Sequence, residues 1–160
     1  MAADGWTGIA VECDAQKFSN LAEHDARFPG VALARCMITP ENVVALPQAT
    51  STPEEFGFLN LDIDGYDSFV LDRILHQYRP RLICVEINEK IPPPIKFAVR
   101  WDPRYAWAGD HFYGASISKM HELCVSHHYA LTELDYNSAF LIPSELFQGT
   151  PRPPEQAWRE

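Results

Sequence analysis

Short apolar runs alternate with segments of helical periodicity along this 160-residue chain, and this alternation constrains its fold more than any other feature. Strand-like runs lie at 8–12, 31–38, 56–65 and 81–88, and helical patterns lie at 15–27, 69–78 and 116–128. The order predicts an α/β sheet with helices on both faces, in which a continuous run such as 8–12 is a buried parallel strand. Two final runs, 129–135 and 138–143, flank Tyr136 and Asn137 and predict an antiparallel hairpin.

Composition narrows the class of protein further. The chain has 22 acidic and 13 basic residues and a net charge of −9, which argues against a nucleic-acid or anionic-membrane surface. No apolar run is long enough to cross a bilayer, and the first residues lack the pattern of a signal peptide, so we expect a cytoplasmic protein. With 46% apolar residues, we expect one domain over 1–147 and a proline-rich tail over 148–160. The four cysteines are widely spaced and are interpreted as reduced, mostly buried thiols.

Acidic residues stand where the predicted strands end. Ligands of parallel α/β sheets bind at the carboxyl ends of the strands, so these positions are the first candidates for a site. Glu12 ends the first strand and Asp14 follows it, and a carboxylate there can hold the two hydroxyls of a ribose. The alternative is a capping acid before the next helix, since acids are favoured in the first helical turn.

A second group of acids predicts a cation site. Asp62 and Asp64 share one face of their strand, and Glu86 and Asn88 share one face of the strand expected beside it. Oxygen ligands of this kind suit Mg²⁺ or Mn²⁺. Alternatively, Asp64 belongs to a turn, or the strand-end acids accept hydrogen bonds with no ion present.

His111 is the histidine most suited to chemistry. It lies in a predicted loop, 110–116, that contains a glycine before the next helix, and it is a candidate general base or further ligand. The other histidines lie within or at the end of helical patterns and are assigned structural roles: His24, His76, His121, His127 and His128. The sequence has no GxSxG, HExxH, P-loop or GxGxxG motif, so the corresponding hydrolase, protease, NTPase and dinucleotide-binding classes lack their signatures.

Several of these segments together resemble the FkbM-like branch of class I S-adenosylmethionine-dependent methyltransferases. The resemblance covers most of the chain and rests on 5–12 (GWTGIAVE), 61–67 (LDIDGYD), 78–81 (YRPR), 85–88 (VEIN), 113–116 (YGAS) and 137–140 (NSAF). It implies a Rossmann-like sheet of strand order 3-2-1-4-5-7-6, mostly parallel with a C-terminal antiparallel hairpin. It also implies S-adenosylmethionine as methyl donor and a small molecule or sugar as O-methyl acceptor.

The resemblance also implies roles for individual residues. Glu12, Asp14 and Asp62 are candidate cofactor-binding residues, and His111 and Asp64 are candidate catalytic residues. In related metal-dependent members, acids at the ends of the fourth and fifth strands hold a divalent cation, and the matching positions here are Asp62, Glu86 and Asn88. In the family, a first strand and a glycine-rich cofactor loop precede the segment matched by 5–12, whereas only four residues precede it here.

This difference from the family leads to an expectation about partners. Without the family's central strand, strands 8–12 and 58–64 would each have an unpaired edge, so we expect them to pair directly or to receive a strand from a second copy or another chain. Two other functions stay open. One is a metal-dependent lyase, cyclase or hydrolase on the same fold. The other is a non-catalytic subunit that docks through the aromatic segment 97–107.

Overall fold

The computed structural model of the chain describes residues 5–105 and 107–158, which form six strands and five helices. The elements are, in chain order, β1 (Gly8–Glu12), α1 (Ala15–Asp25), β2 (Val31–Arg35), α2 (Ala45–Ala49), β3 (Glu55–Leu61), α3 (Asp67–Leu75), β4 (Arg79–Glu86), α4 (Ile117–Ser126), β5 (Tyr129–Asp135), β6 (Ser138–Pro143) and α5 (Pro154–Ala157). The α/β class expected from the sequence is therefore observed. None of the helices in the described part of the chain has the length and apolar character of a membrane span.

The chain divides into two compact units, residues 1–53 and 54–160. The sequence predicted one domain over 1–147 with a tail over 148–160, and these domain bounds stay a prediction. Part of that tail packs within the second unit, where Pro154 and Ala157 are buried and the Arg152 amide donates to the Leu131 carbonyl at 3.0 Å. Residues 159 and 160 of the tail lie outside the described residues, as do residues 1–4.

The first unit contains a two-stranded parallel sheet, in which Gly8 pairs with Val31 and Glu12 with Arg35. Helix α1 begins after Asp14, whose carboxylate caps it. The sequence predicted β1 as a strand buried on both faces. In the structure none of its residues is fully buried, and Val11 is 37% exposed.

The second unit contains a four-stranded mixed sheet of order β3-β4-β6-β5. Strands β3 and β4 are parallel, whereas β6 runs antiparallel to both β4 and β5. The hairpin predicted around Tyr136 and Asn137 is thus confirmed, and it makes this sheet mixed rather than mostly parallel. Its core is formed by strand and helix residues that include Leu71, Ile83, Val85, Ile117, Met120 and Leu141, each 0–1% exposed.

Strand β1 pairs only with β2, and β3 pairs only with β4, among residues 5–105 and 107–158. The expected direct pairing of β1 with β3 is therefore not formed. The four cysteines are free thiols, as expected, but only Cys124 is buried, whereas Cys13 is exposed and Cys36 and Cys84 are half-buried.

Candidate functional site

The carboxylates of Asp62, Asp64 and Glu86 converge at the carboxyl ends of β3 and β4. The two strands are parallel and Leu61 pairs with Val85, so the residues that follow Leu61 lie beside Glu86. Each carboxylate offers one oxygen, and the three oxygens lie within 4.8 Å of one another. Three of the acids predicted from strand ends are thus brought together, with two exposed and Glu86 buried.

A buried fourth acid, Asp67, shapes the turn that presents Asp62 and Asp64. Its carboxylate accepts hydrogen bonds from the backbone amides of Ile63 at 3.0 Å and Gly65 at 3.3 Å. The side chain is fully buried, and this burial raises its pKa to about 7 against the opposing effect of the two amides. Asp67 is therefore a positioning residue for the acidic turn.

The same turn holds Asp64 in the left-handed region, at φ +56°. Aspartate tolerates this conformation better than most residues because its short side chain bonds locally. The next residue is tightly enclosed, since a Cβ on Gly65 would lie 3.0 Å from Cε1 of Tyr105, closer than ordinary van der Waals contact. Asp64 and Gly65 therefore form a turn, as one hypothesis from the sequence held. The Asp64 carboxylate also lies close to those of Asp62 and Glu86.

Glu86 has the most unusual environment of the three acids. Its Oε1 accepts from Nδ2 of Asn137 at 3.1 Å, whereas its buried Oε2 has no donor among the described residues. The neighbouring Asp62 can accept a hydrogen bond from Glu86 only when Glu86 is protonated. Burial, followed by repulsion from Asp62, Asp67 and Asp64, raises the pKa of Glu86 to about 8.

Either a proton or a cation can relieve this repulsion. Burial and the adjacent Asp64 also raise the pKa of Asp62, so both acids are less acidic than usual. Three carboxylates this close, one of which has a buried oxygen with no donor among the described residues, match the oxygen ligands preferred by Mg²⁺ and Mn²⁺. Asp62, Asp64 and Glu86 are therefore the residues that would hold such an ion.

Asn88 was predicted as a metal ligand, but the structure shows it holding a loop. Its Nδ2 donates to the carbonyls of His111 and Tyr113, both at 2.8 Å, and its Oδ1 accepts from the Lys90 amide at 2.9 Å. The side chain is fully buried. The structure thus gives Asn88 a role in positioning His111, and its assignment as a ligand stays a prediction.

His111 lines the same cavity as two members of the acidic group, Asp64 and Glu86. The cavity has a volume of about 350 Å³, and its lining includes Asp64, Glu86, His111, Tyr113 and Asn137. The His111 side chain is exposed. A molecule bound in the cavity could therefore contact the candidate base and the carboxylates together.

Sequence reasoning missed Glu89, which binds three donors at the edge of this cavity. Its carboxylate accepts from the hydroxyls of Tyr113 and Tyr136, the latter at 3.0 Å, and pairs with Nζ of Lys90 at 2.8 Å. Burial alone would raise its pKa, but the bonds from Lys90, Tyr113 and Tyr136 lower it to about 2. Glu89 is therefore a fixed anion that joins the end of β4 to the hairpin.

The predicted cofactor acids Glu12 and Asp14 lie in the first unit, where both bond to backbone amides. Glu12 accepts from the Asp14 amide at 2.7 Å, and Asp14 accepts from the amides of Gln16 at 2.9 Å and Lys17 at 2.8 Å. These bonds lower the pKa of both acids. Asp14 is thus a helix cap, and Glu12 stands at the carboxyl end of β1, where the ribose hypothesis places it.

Comparisons of the chain with family models, with curated proteins and with solved structures found no match. The chemistry of the chain must therefore be argued from its own residues. The resemblance noted in the sequence stays a prediction.

Proposed function

We propose that this chain acts as a methyltransferase that uses S-adenosylmethionine to methylate a hydroxyl group of a small molecule or sugar. The acceptor would bind in the cavity lined by Asp64, Glu86 and His111. Asp62, Asp64 and Glu86 would hold a divalent cation beside it.

The strand order is the observation that carries this proposal. In the family that the sequence resembles, the order is 3-2-1-4-5-7-6. Sheet β2-β1 corresponds to the 3-2 part of that order, and sheet β3-β4-β6-β5 corresponds to 4-5-7-6, with the same antiparallel hairpin at the end. The central strand of the family order has no counterpart among residues 5–105 and 107–158.

The residues of the cavity suit removal of a proton from an acceptor hydroxyl. His111 would take the proton as general base, and the cation would stabilise the alkoxide charge that develops on the oxygen. S-adenosylmethionine would supply the methyl group, with S-adenosylhomocysteine as the product. Glu12 and Asp14, at the end of β1, would contact the cofactor. Asn88 would support the reaction by holding the His111 carbonyl.

A metal-dependent lyase, cyclase or hydrolase is the second candidate. It is favoured by one observation: the acidic group and His111 both belong to the second unit, whereas Glu12 and Asp14 already bond to their own backbone. In that case the cation would polarise a carbonyl or activate water, and no methyl donor would be needed. Affinity for S-adenosylhomocysteine separates the two candidates.

A purely docking role has less support from the aromatic segment 97–107. Trp101 and Tyr105 pack against Tyr66, with ring centroids 4.4 and 5.3 Å apart, so these rings are used within the second unit. Trp107 also donates to the Asp110 carbonyl at 2.9 Å, although it stays 45% exposed. Trp101, Tyr105 and Trp107 therefore all make contacts within the second unit.

We propose that a second copy of this chain, or another chain, pairs with the edge of β1 that faces away from β2. Strand β1 has one partner among the described residues, and its Val11 is partly exposed. Unpaired strand edges favour association. A solution mass by light scattering equal to that of one chain, at all concentrations, would remove a second copy from consideration.

Methyl transfer is tested with S-adenosylmethionine labelled in its methyl group, Mg²⁺ or Mn²⁺, and a panel of small hydroxyl compounds that includes sugars. We expect labelled acceptor, and we expect His111→Gln to slow its formation about 100-fold or more. The control is His24→Gln, because His24 is an exposed histidine of the first unit. Equal rates for both variants would contradict the role of His111.

A further inference from the structure

A second group of metal-ligand side chains lies at the opposite end of β4, outside the proposed active site. It consists of Asp72 of α3, His76, which follows the last residue of α3, and His127, which follows the last residue of α4. One ligand atom from each lies within 4.8 Å of the others. Arg79, the first residue of β4, contacts this group, whereas Glu86, a member of the acidic group, is the last residue of that strand.

The distances within this group fit ligands that share one ion. Nε2 of His127 lies 2.8 Å from Oδ1 of Asp72, and Nδ1 of His76 lies 3.8 Å from the same oxygen. Ligands bound at about 2.1 Å to one metal lie roughly 3.0 to 3.4 Å apart in octahedral or tetrahedral geometry. The observed distances of 2.8 and 3.8 Å lie on either side of that range, so small side-chain rotations would bring the three ligand atoms to metal-binding distances.

Both imidazoles direct a nitrogen at Asp72. His127 bonds the carboxylate, and Nδ1 of His76 bonds the Asp72 main-chain oxygen at 2.7 Å. The two rings also contact each other edge to face, with centroids 4.9 Å apart. A cation bound here would replace the contact between His127 and the Asp72 carboxylate and the contact between His76 and the Asp72 main-chain oxygen.

The scaffold around the group is fixed by other contacts. Asp72 and His76 are four residues apart, which places them on one side of the α3 terminus. His127 is held through its backbone, because Nη1 of Arg79 donates to its carbonyl at 2.8 Å while the same guanidinium pairs with Glu145 at 2.7 Å. The His127 side chain is only 15% exposed, whereas that of His76 is 58% exposed and open to an incoming ion.

We propose that Asp72, His76 and His127 form a binding site for a divalent transition metal, best represented by Zn²⁺. Two imidazoles and one carboxylate are ligands that Zn²⁺ accepts, and they leave the fourth position open to water. Mg²⁺ strongly prefers oxygen ligands and would not compete. Bound metal would join the ends of α3 and α4. It would also give His76 and His127 a ligand role in addition to the structural role that the sequence predicted.

The test is calorimetric titration of the full chain with Zn²⁺ in the presence of excess Mg²⁺, which would occupy the acidic group of the first site. We expect one Zn²⁺ per chain, and we expect His76→Gln and His127→Gln each to weaken binding about tenfold or more. His24→Gln is the matched control, because His24 also pairs with an acid, Asp25 at 2.7 Å, but its other ring nitrogen contacts the cationic Arg27 at 3.2 Å. The affinity of the His24→Gln variant for Zn²⁺ should equal that of the unchanged chain.

Substitution with Co²⁺ gives a readout that does not depend on stability. We expect visible d–d absorption on binding, lost in His76→Gln, whose fold should be intact because the His76 side chain is 58% exposed. Absence of Zn²⁺ binding, or equal Zn²⁺ affinity in the His76, His127 and His24 variants, would overturn the proposal. Neither result would bear on methyl transfer, since no residue of this group lies in the first site.

Discussion

Glu86, the last residue of β4, lies beside Asp62, the first residue after β3, and its buried Oε2 has no donor among the described residues. The pair brings two carboxylates together at the edge of a parallel sheet, where Asp64 adds a third. Repulsion among the three carboxylates destabilises the protein when no cation is bound, whereas a bound cation would turn the same charges into stabilising contacts.

Glu86 should make the free energy of unfolding depend on pH. Its pKa is about 8 in the folded protein against 4.5 for an ordinary glutamate, so between these values the folded state holds a proton that the unfolded chain has lost. Stability should therefore fall as pH rises through this window, by at least about 1 kcal/mol. Glu86→Gln should lessen the fall, as measured by urea unfolding at a series of pH values.

A residual slope in the Glu86 variant is expected at lower pH, because burial also raises the pKa of Asp67, to about 7. Its sign is the same, since the folded state again holds the additional proton. An unchanged slope between about pH 7 and 8 in Glu86→Gln would contradict the environment described for Glu86.

Mg²⁺ or Mn²⁺ should raise the melting temperature of the unchanged chain, because an ion that binds only the folded state stabilises it. Asp62→Asn should abolish most of this rise by removing one anionic ligand. The matched control is Asp102→Asn, an exposed acid whose partner is Arg104 at 3.1 Å. If both variants respond to the metals as the unchanged chain does, the acidic group has a structural role only.

Asp64 allows its turn and ligand roles to be separated. At φ +56°, Asp64→Gly relieves backbone strain, whereas Asp64→Ala keeps it, so the glycine variant should be more stable than the alanine variant by about 1 kcal/mol. Both variants lose a carboxylate and should bind Mn²⁺ more weakly. Equal stabilities in thermal unfolding would disagree with the left-handed turn, and unchanged Mn²⁺ affinity would disagree with the ligand role.

Asn88→Ala should destabilise the second unit by about 1 to 3 kcal/mol, since it leaves the carbonyls of His111 and Tyr113 without their donor. Asn20→Ala is a suitable control, because Asn20 is an exposed residue of α1 and its loss should change stability by less than about 0.5 kcal/mol. Chemical unfolding of both variants measures the difference. Similar small losses would mean that the loop does not depend on Asn88.

The local parts of this structure could be predicted from the sequence. Strands β5 and β6 have the predicted bounds, because the Tyr136-Asn137 turn marks their shared end. The meeting of Asp62, Asp64 and Glu86 was also predictable, since parallel neighbours end at one edge of a sheet.

The long-range parts could not be predicted in the same way. Glu89 binds Tyr113 and Tyr136, which are 24 and 47 residues away, and no periodicity relates them. The bonds that commit Asn88 to the His111 loop likewise span 23 and 25 residues. The exposure of β1 depends on which strands pair, and strand pairing is a property of the whole chain rather than of the apolar run itself.

Calorimetric titration with S-adenosylhomocysteine tests whether the chain is a methyltransferase. We expect saturable binding by the unchanged chain and a loss of at least about 1 kcal/mol of binding free energy in Glu12→Gln, because a charge-assisted bond to the ribose becomes a neutral one. Binding of equal strength by both proteins would contradict the assignment of Glu12, and no binding by the unchanged chain in the presence of Mg²⁺ would contradict the methyltransferase proposal itself.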